Sequence, residues 1–350
     1  MAFKSIKRKI ETSKDIESLF RDLNTNGVES LYSHQADIIR DYQENAINAS
    51  NVAIELPTGS GKTLIGLLIG EFKRQTADLK VLYLCPTRQL VNQVSELANK
   101  KYGIKTIPFT GSKLKYLPES KTSYQHKEAI AITTYSSLFN INPYFDDADL
   151  IIIDDAHASE NYIASSWSLN IMRFDHEQLY LDVIGFLEEH IDSSLYNRLV
   201  DDEIDPMDKN TINVFPGYYL NDNHTDFFNL LETSVQSTNL KYDWAAIKDH
   251  IKACNLYYSW NEILIRPIIP PSLTNTAFKN AKQRIFMSAT LGNGGDLERI
   301  TGVNRITKIA IPEGWDKQGL GRRFFQFPSL SLRENEVEEF LLEAIGMTPR

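Results

Sequence analysis

The run Leu56-Pro-Thr-Gly-Ser-Gly-Lys-Thr63 limits what this 350-residue chain can fold into more than any other stretch. Before it, Val52, Ala53, Ile54 and Leu56 read as a short buried strand; after it, Leu64 to Lys73 is apolar over enough residues for a buried helix. Strand, glycine-rich turn and helix in that order make a phosphate cradle. The turn, Thr58, Gly59, Ser60 and Gly61, aims successive backbone N–H groups and a helix N-terminus at one small volume. Gly59 and Gly61 let the backbone approach an anion closely. Lys62 is placed to reach the β and γ phosphates of a nucleoside triphosphate, and the Thr63 hydroxyl to complete a Mg²⁺ site with water and phosphate oxygens.

Composition sets outer limits. With 42% hydrophobic and 24% charged residues the chain has material for a sizeable core, and its length suggests about two domains of ordinary size. A net charge of −9 argues against a protein that coats a polyanion, while leaving room for a local basic groove. Cys85 and Cys254 are too few for a four-ligand metal or iron-sulfur site and fit a reducing compartment. No stretch of about eighteen apolar residues occurs and the N-terminus lacks a secretory pattern, so a cytoplasmic location without a membrane partner is expected.

The first position of the loop is Leu56 where the general phosphate-loop pattern has Gly, and in this it resembles the superfamily 2 helicases and translocases, DEAD/DEAH-box proteins among them. The helix beginning near Leu31 resembles their adenine-reading segment, which implies ATP as the nucleotide and Gln35 as the reader, an amide offering donor and acceptor together. The strand from Lys80 to Cys85 and the turn Pro86-Thr-Arg are similar to the motif that contacts the sugar-phosphate backbone, assigning Pro86, Thr87 and Arg88 to nucleic acid. Thr110 and Gly111, with Thr133 and Thr134, resemble later strand-end motifs touching the same backbone.

Leu150-Ile-Ile-Ile reads as a central buried strand, so Asp154 and Asp155 emerge at its carboxyl end, where open α/β sheets hold ligands. The segment resembles the Asp-Glu-Ala-His motif. By that resemblance Asp154 holds Mg²⁺ through water, Asp155 stands where the family has a water-polarising Glu, and His157 couples the nucleotide site onward. An Asp here is one methylene shorter, which implies slow hydrolysis. Ser288 and Thr290, ending a strand from Ala281, match the Ser-Ala-Thr motif that links the acidic pair to the nucleic-acid groove.

The expected fold is therefore α/β, a RecA-like phosphate-loop domain with a parallel sheet, formed by residues 31–158 and 268–328. A helical extension over 1–30 carries Lys4, Lys7, Arg8 and Lys9, read as a solvated face. A mainly helical subdomain is inserted at 159–267. Between residues 160 and 266 stand 18 Asp and Glu against 7 Lys and Arg, so the insertion suits a wedge, a lid or a docking surface for a partner protein better than a phosphate-binding face. Its position resembles the arch of the XPD and DinG type of iron-sulfur helicase, whose cluster the cysteine count excludes. A helix over Glu336 to Ile345, within 329–350, leads toward a second RecA-like domain expected in cis or in trans. The function implied is an ATP-dependent helicase or translocase on a single strand, DNA ahead of RNA; the alternative is a nucleotide-dependent switch that recruits a partner.

Overall fold

The aliphatic runs become short strands. In chain order these are β1 (Asn51–Glu55), β2 (Val81–Cys85), β3 (Thr106–Pro108), β4 (Ile130–Thr134), β5 (Leu150–Asp154), β6 (Leu169–Met172), β7 (Asn213–Phe215), β8 (Cys254–Tyr258), β9 (Glu262–Pro267), β10 (Gln283–Ser288) and β11 (Thr307–Ile309). The computed structural model describes residues 13–140, 142–206, 208–209, 211–217, 224–292 and 295–312. The basic cluster from Lys4 to Lys9 and the helix expected over Glu336 to Ile345 lie outside the described residues.

Seven strands form one sheet in the order β11-β1-β10-β5-β2-β4-β3, every pair parallel. This is the RecA-like α/β arrangement. Because side chains alternate along a strand, each strand feeds two cores. Val52, Ile54, Tyr83, Cys85 and Ile152 pack on one face with the helix Lys62–Thr76, the helix Ser33–Asp41 and the helix Ile16–Asp22. Leu82, Leu84, Ile151 and Ile153 point to the other face. The order sets the carboxyl ends of β1, β10 and β5 side by side, with those of β2, β4 and β3 next along the same edge. Tyr42 closes the lower end, its hydroxyl donating to Gln283 Oε1 of β10 at 2.7 Å.

Between β5 and β10 the expected helices are present, notably Glu177–Phe186, His224–Val235 and Lys241–Ile247. They are joined by an element the sequence reading did not anticipate, a four-stranded antiparallel sheet in the order β6-β9-β8-β7. Its strands alternate: Leu256, Tyr258, Ile263 and Ile265 are buried while Asn255, Tyr257, Leu264 and Arg266 are half-exposed. The insertion is anchored by its core. Trp167, Leu169 and Trp244 belong to one continuous buried cluster with Leu82, Leu84, Ile151 and Ile153 of the parallel sheet. No described helix is long and apolar enough to cross a membrane.

Candidate nucleotide site and strand-end face

The phosphate loop leaves β1 at Leu56, whose N–H donates to the Ser288 carbonyl of β10 at 2.9 Å. Gly59 and Gly61 take φ of 83° and 87°, the left-handed region that favours glycine. A Cβ at Gly61 would come within 2.2 Å of Gln35 Nε2, so the loop and the Gln35 side chain are fitted to each other. Ser60 is buried and its hydroxyl donates to the Pro57 carbonyl at 2.6 Å. Lys62 opens the following helix and donates to the carbonyls of Leu56 at 2.9 Å and Pro57 at 3.2 Å. Burial lowers the Lys62 pKa below the usual lysine value, and the nearby Asp154 and Asp155 carboxylates oppose that shift. Thr58 is exposed and Thr63 half-buried at the mouth of the cradle.

Gln35 is buried with its amide tied down: Nε2 donates to the Ser60 carbonyl at 2.9 Å and Oε1 accepts from the Tyr32 N–H at 3.0 Å. One hydrogen and one lone pair remain for a base. Two neighbours were not singled out in the sequence. His34 Nε2 lies 3.0 Å from the same Ser60 carbonyl, and the Tyr32 ring, 70% exposed, stacks on His34 with centroids 5.8 Å apart. The signal was an aromatic residue three positions before the glutamine, at the helix start.

Across the sheet edge, Asp154 ends β5 with its side chain on the same face as Tyr83 and Lys62, as period-two alternation requires. Tyr83 donates its phenolic hydrogen to Asp154 Oδ2 at 2.9 Å, and Tyr135 donates to the Asp154 carbonyl at 2.5 Å. Burial raises the Asp154 pKa above the usual carboxylate value; the Tyr83 hydrogen bond and Lys62 act against it. Burial, reinforced by Asp154, also pushes the Tyr83 hydroxyl well above the usual phenol value, so it stays a neutral donor. Asp155 is exposed and adopts φ of 55°, a conformation aspartate tolerates better than most side chains. His157 is exposed beside it. Ala156 N–H donates to the Met287 carbonyl at 2.8 Å, so β10 is bonded through its backbone both to the phosphate loop and to the acidic turn. Ser288 is buried and its Oγ accepts from Thr290 N–H at 3.4 Å; Thr290 is exposed.

The donor set fits a hard cation. A threonine hydroxyl and an aspartate carboxylate are oxygen ligands of the kind Mg²⁺ takes, and one or two such ligands plus substrate phosphates and water suffice for it. The glycine cradle next to them supplies N–H groups for those phosphates.

Further along the edge, Thr87 caps the helix Arg88–Leu97, its Oγ1 accepting from Leu90 N–H at 3.2 Å, and Pro86, Thr87 and Arg88 lie half-buried to exposed. Gly111 has φ of 79° with open space where a Cβ would stand, and Thr110 is half-exposed. Thr134 is half-exposed with Oγ1 at 3.1 Å from the hydroxyls of Ser136 and Ser137. Thr133 requires a correction. Strand alternation turns it inward: it is fully buried and its Oγ1 donates to the Phe109 carbonyl at 2.7 Å, so it holds β3 to β4 and does not face a ligand.

Residues 32–186 match the DEAD/DEAH box helicase family. Over 177 residues the chain is 29% identical to the ATP-dependent RNA helicase DDX51 of Danio rerio, covering 43% of this chain and 27% of that protein. Over 155 residues it is 28% identical to activating signal cointegrator 1 complex subunit 3 of Dictyostelium discoideum, covering 41% of this chain and 6% of that one. The chain thus spans about a quarter or less of the curated relatives it matches. Among solved structures, S. tokodaii Xpd4 aligns at a TM-score of 0.46 and 19% identity, over 81% of this chain and 61% of the other.

Proposed function

Residues 32–186 match the DEAD/DEAH box helicase family, and on that premise we propose that the chain is the first motor domain of an ATP-dependent helicase or translocase, binding Mg-ATP at the β1, β10 and β5 ends and the backbone of a single strand along β2, β4 and β3. The observation that carries this reading is the glycine cradle of Gly59 and Gly61 at the start of the helix that Lys62 and Thr63 open, with Lys62 close enough to Asp154 and Asp155 to feel their charges. Gly59, Gly61 and the helix N-terminus hold the phosphates. Lys62 would turn from the Leu56 and Pro57 carbonyls toward the β and γ phosphates, Thr63 and Asp154 would hold the cation, and Asp155 would orient the attacking water. A bound Mg²⁺ would supply neutralisation of the charge that develops on the phosphates. Gln35, already bonded to Ser60, carries the base contact to the loop.

Phosphate-backbone contact falls to Thr87, Arg88, Thr110, Gly111 and Thr134, with DNA ahead of RNA as substrate. Full turnover calls for a second RecA-like domain in cis or in trans, since an arginine supplied from outside is worth about a thousandfold or more in phosphoryl transfer. The insertion at 159–267, with its acidic balance, is the surface for a protein partner. One feature favours the alternative, a nucleotide-dependent switch with little strand-stimulated turnover: the short Asp155 side chain stands where a longer acid serves the family.

Steady-state ATP hydrolysis with and without single-stranded DNA or RNA, on this chain and on any longer gene product, tests the two readings, with Lys62→Ala as control. Stimulation by a strand, lost in the Lys62 variant, is the expected result. Tight nucleotide binding without stimulated turnover in either version would overturn the motor in favour of the switch.

A further inference from the structure

Tyr83 lies in a strand otherwise made of aliphatic residues and Cys85, and its ring is fully buried. It occupies the face of β2 that meets the helix Lys62–Thr76, and its hydroxyl donates to Asp154 Oδ2 at 2.9 Å. Asp154 is one of the two oxygen ligands assigned above to the cation. The helix is shaped around the ring. At Gly66 a Cβ would come within 3.2 Å of Tyr83 Cε2 and 2.6 Å of Met287 Cε, so the helix keeps a poor helix former there and lies directly on the phenol.

Resting on the nucleotide-site reading above, we infer that Tyr83 is a positioning residue for the divalent cation, its hydroxyl fixing the orientation of the Asp154 carboxylate. A carboxylate at a strand end can rotate about two bonds; a buried donor on Oδ2 fixes the plane and leaves the remaining lone pairs directed at the cation's water. Partners that orient metal ligands in this way affect metal affinity nearly as strongly as the ligands do. Tyr83 is fully buried, so its effect passes through Asp154.

The test is Tyr83→Phe, which removes one oxygen and keeps the ring. Binding of a fluorescent ADP analogue is titrated with Mg²⁺, with EDTA as the metal-free limit, and thermal unfolding is followed in parallel. The expected result is a Mg²⁺ midpoint raised about tenfold or more, with metal-free nucleotide affinity unchanged. A Mg²⁺ midpoint equal to that of the unsubstituted chain would overturn the inference, whatever the melting temperature does. Should Tyr83→Phe fail to fold, 3-fluorotyrosine placed at 83 keeps both shape and hydroxyl. Its ¹⁹F resonance is expected to move when Mg²⁺ joins ADP and to stay put with ADP alone; no movement on adding Mg²⁺ would overturn the inference. Absence of any Mg²⁺-dependent nucleotide binding in the unsubstituted chain overturns the nucleotide-site reading as well, which separates the two failures.

Discussion

The Tyr135 hydroxyl donates to the Asp154 carbonyl at 2.5 Å, which places the acidic turn one hydrogen bond away from the strand end that carries Thr134. The Tyr135 ring also stacks on Tyr162, in the helix that follows the acidic turn, with centroids 5.5 Å apart. The Tyr135 hydrogen bond joins the β4 end to the peptide between Asp154 and Asp155 by a route that does not pass through β10, and on the proposed function a strand bound at β4 would act along it. For Tyr135→Phe we expect stability lower by about 1 kcal/mol, the usual worth of such a bond, by urea unfolding. Strand-stimulated hydrolysis should fall while strand-free hydrolysis holds; equal losses in both would sink the coupling role.

Asp155 presents a trade-off between reach and backbone strain. Asp155→Glu lengthens the side chain toward the position of the attacking water, and kcat should rise about tenfold with little change in KM. Glutamate tolerates φ of 55° less well than aspartate, so the same variant should unfold a few degrees lower. Unchanged or reduced kcat in steady-state assays would show that the shorter acid already serves the reaction.

Gly61 is constrained twice, by φ of 87° and by the Gln35 amide 2.2 Å from its would-be Cβ. Gly61→Ala should destabilise the fold by about 1–3 kcal/mol, the cost of a strained backbone position, and weaken nucleotide binding. Adding Gln35→Ala removes the collision and leaves the φ strain. The double variant should recover part of the stability in thermal unfolding; no recovery would mean that Gln35 yields freely.

Both cysteines are fully buried, and burial pushes Cys254 up to about 12. Neither should react with a thiol reagent at pH 8 in the native protein, and both should react in denaturant. Because the folded-state pKa of Cys254 is raised, its contribution to stability is complete below the ordinary thiol value of 9.0 and is lost as pH rises toward about 12. Native labelling of Cys254 at pH 8 would contradict its burial at the start of β8.

How far the sequence could be read depended on whether the deciding contact was local. Leu56 to Thr63 and Leu150 to Asp155 each carry strand, turn and ligand within a few residues, so their placement followed from order and hydrophobic pattern alone. Tyr83 looked like one more core residue because its partner lies on another strand, far along the chain. Thr133 and Thr134 are adjacent, and only the parity of β4 tells which faces inward. The alternation in Cys254-Asn-Leu-Tyr-Tyr and Glu262-Ile-Leu-Ile-Arg was present, but strands this short acquire meaning through pairing with β6 and β7. Their neighbours in the sheet are separated by helices, which drew the reading toward helix.

The place of β10 between β1 and β5 has a consequence in time. Asn51 pairs with Arg284, so the edge of β1 that faces β5 stays open through the synthesis of everything between them, on the order of ten seconds or more at ordinary ribosomal rates. The acidic insertion emerges first, and pairings this distant in sequence form slowly. During that interval two aliphatic strands wait without the partner that separates them. Until Ser288 has left the ribosome, the Leu56 N–H at the start of the phosphate loop lacks the carbonyl that it bonds in the folded chain.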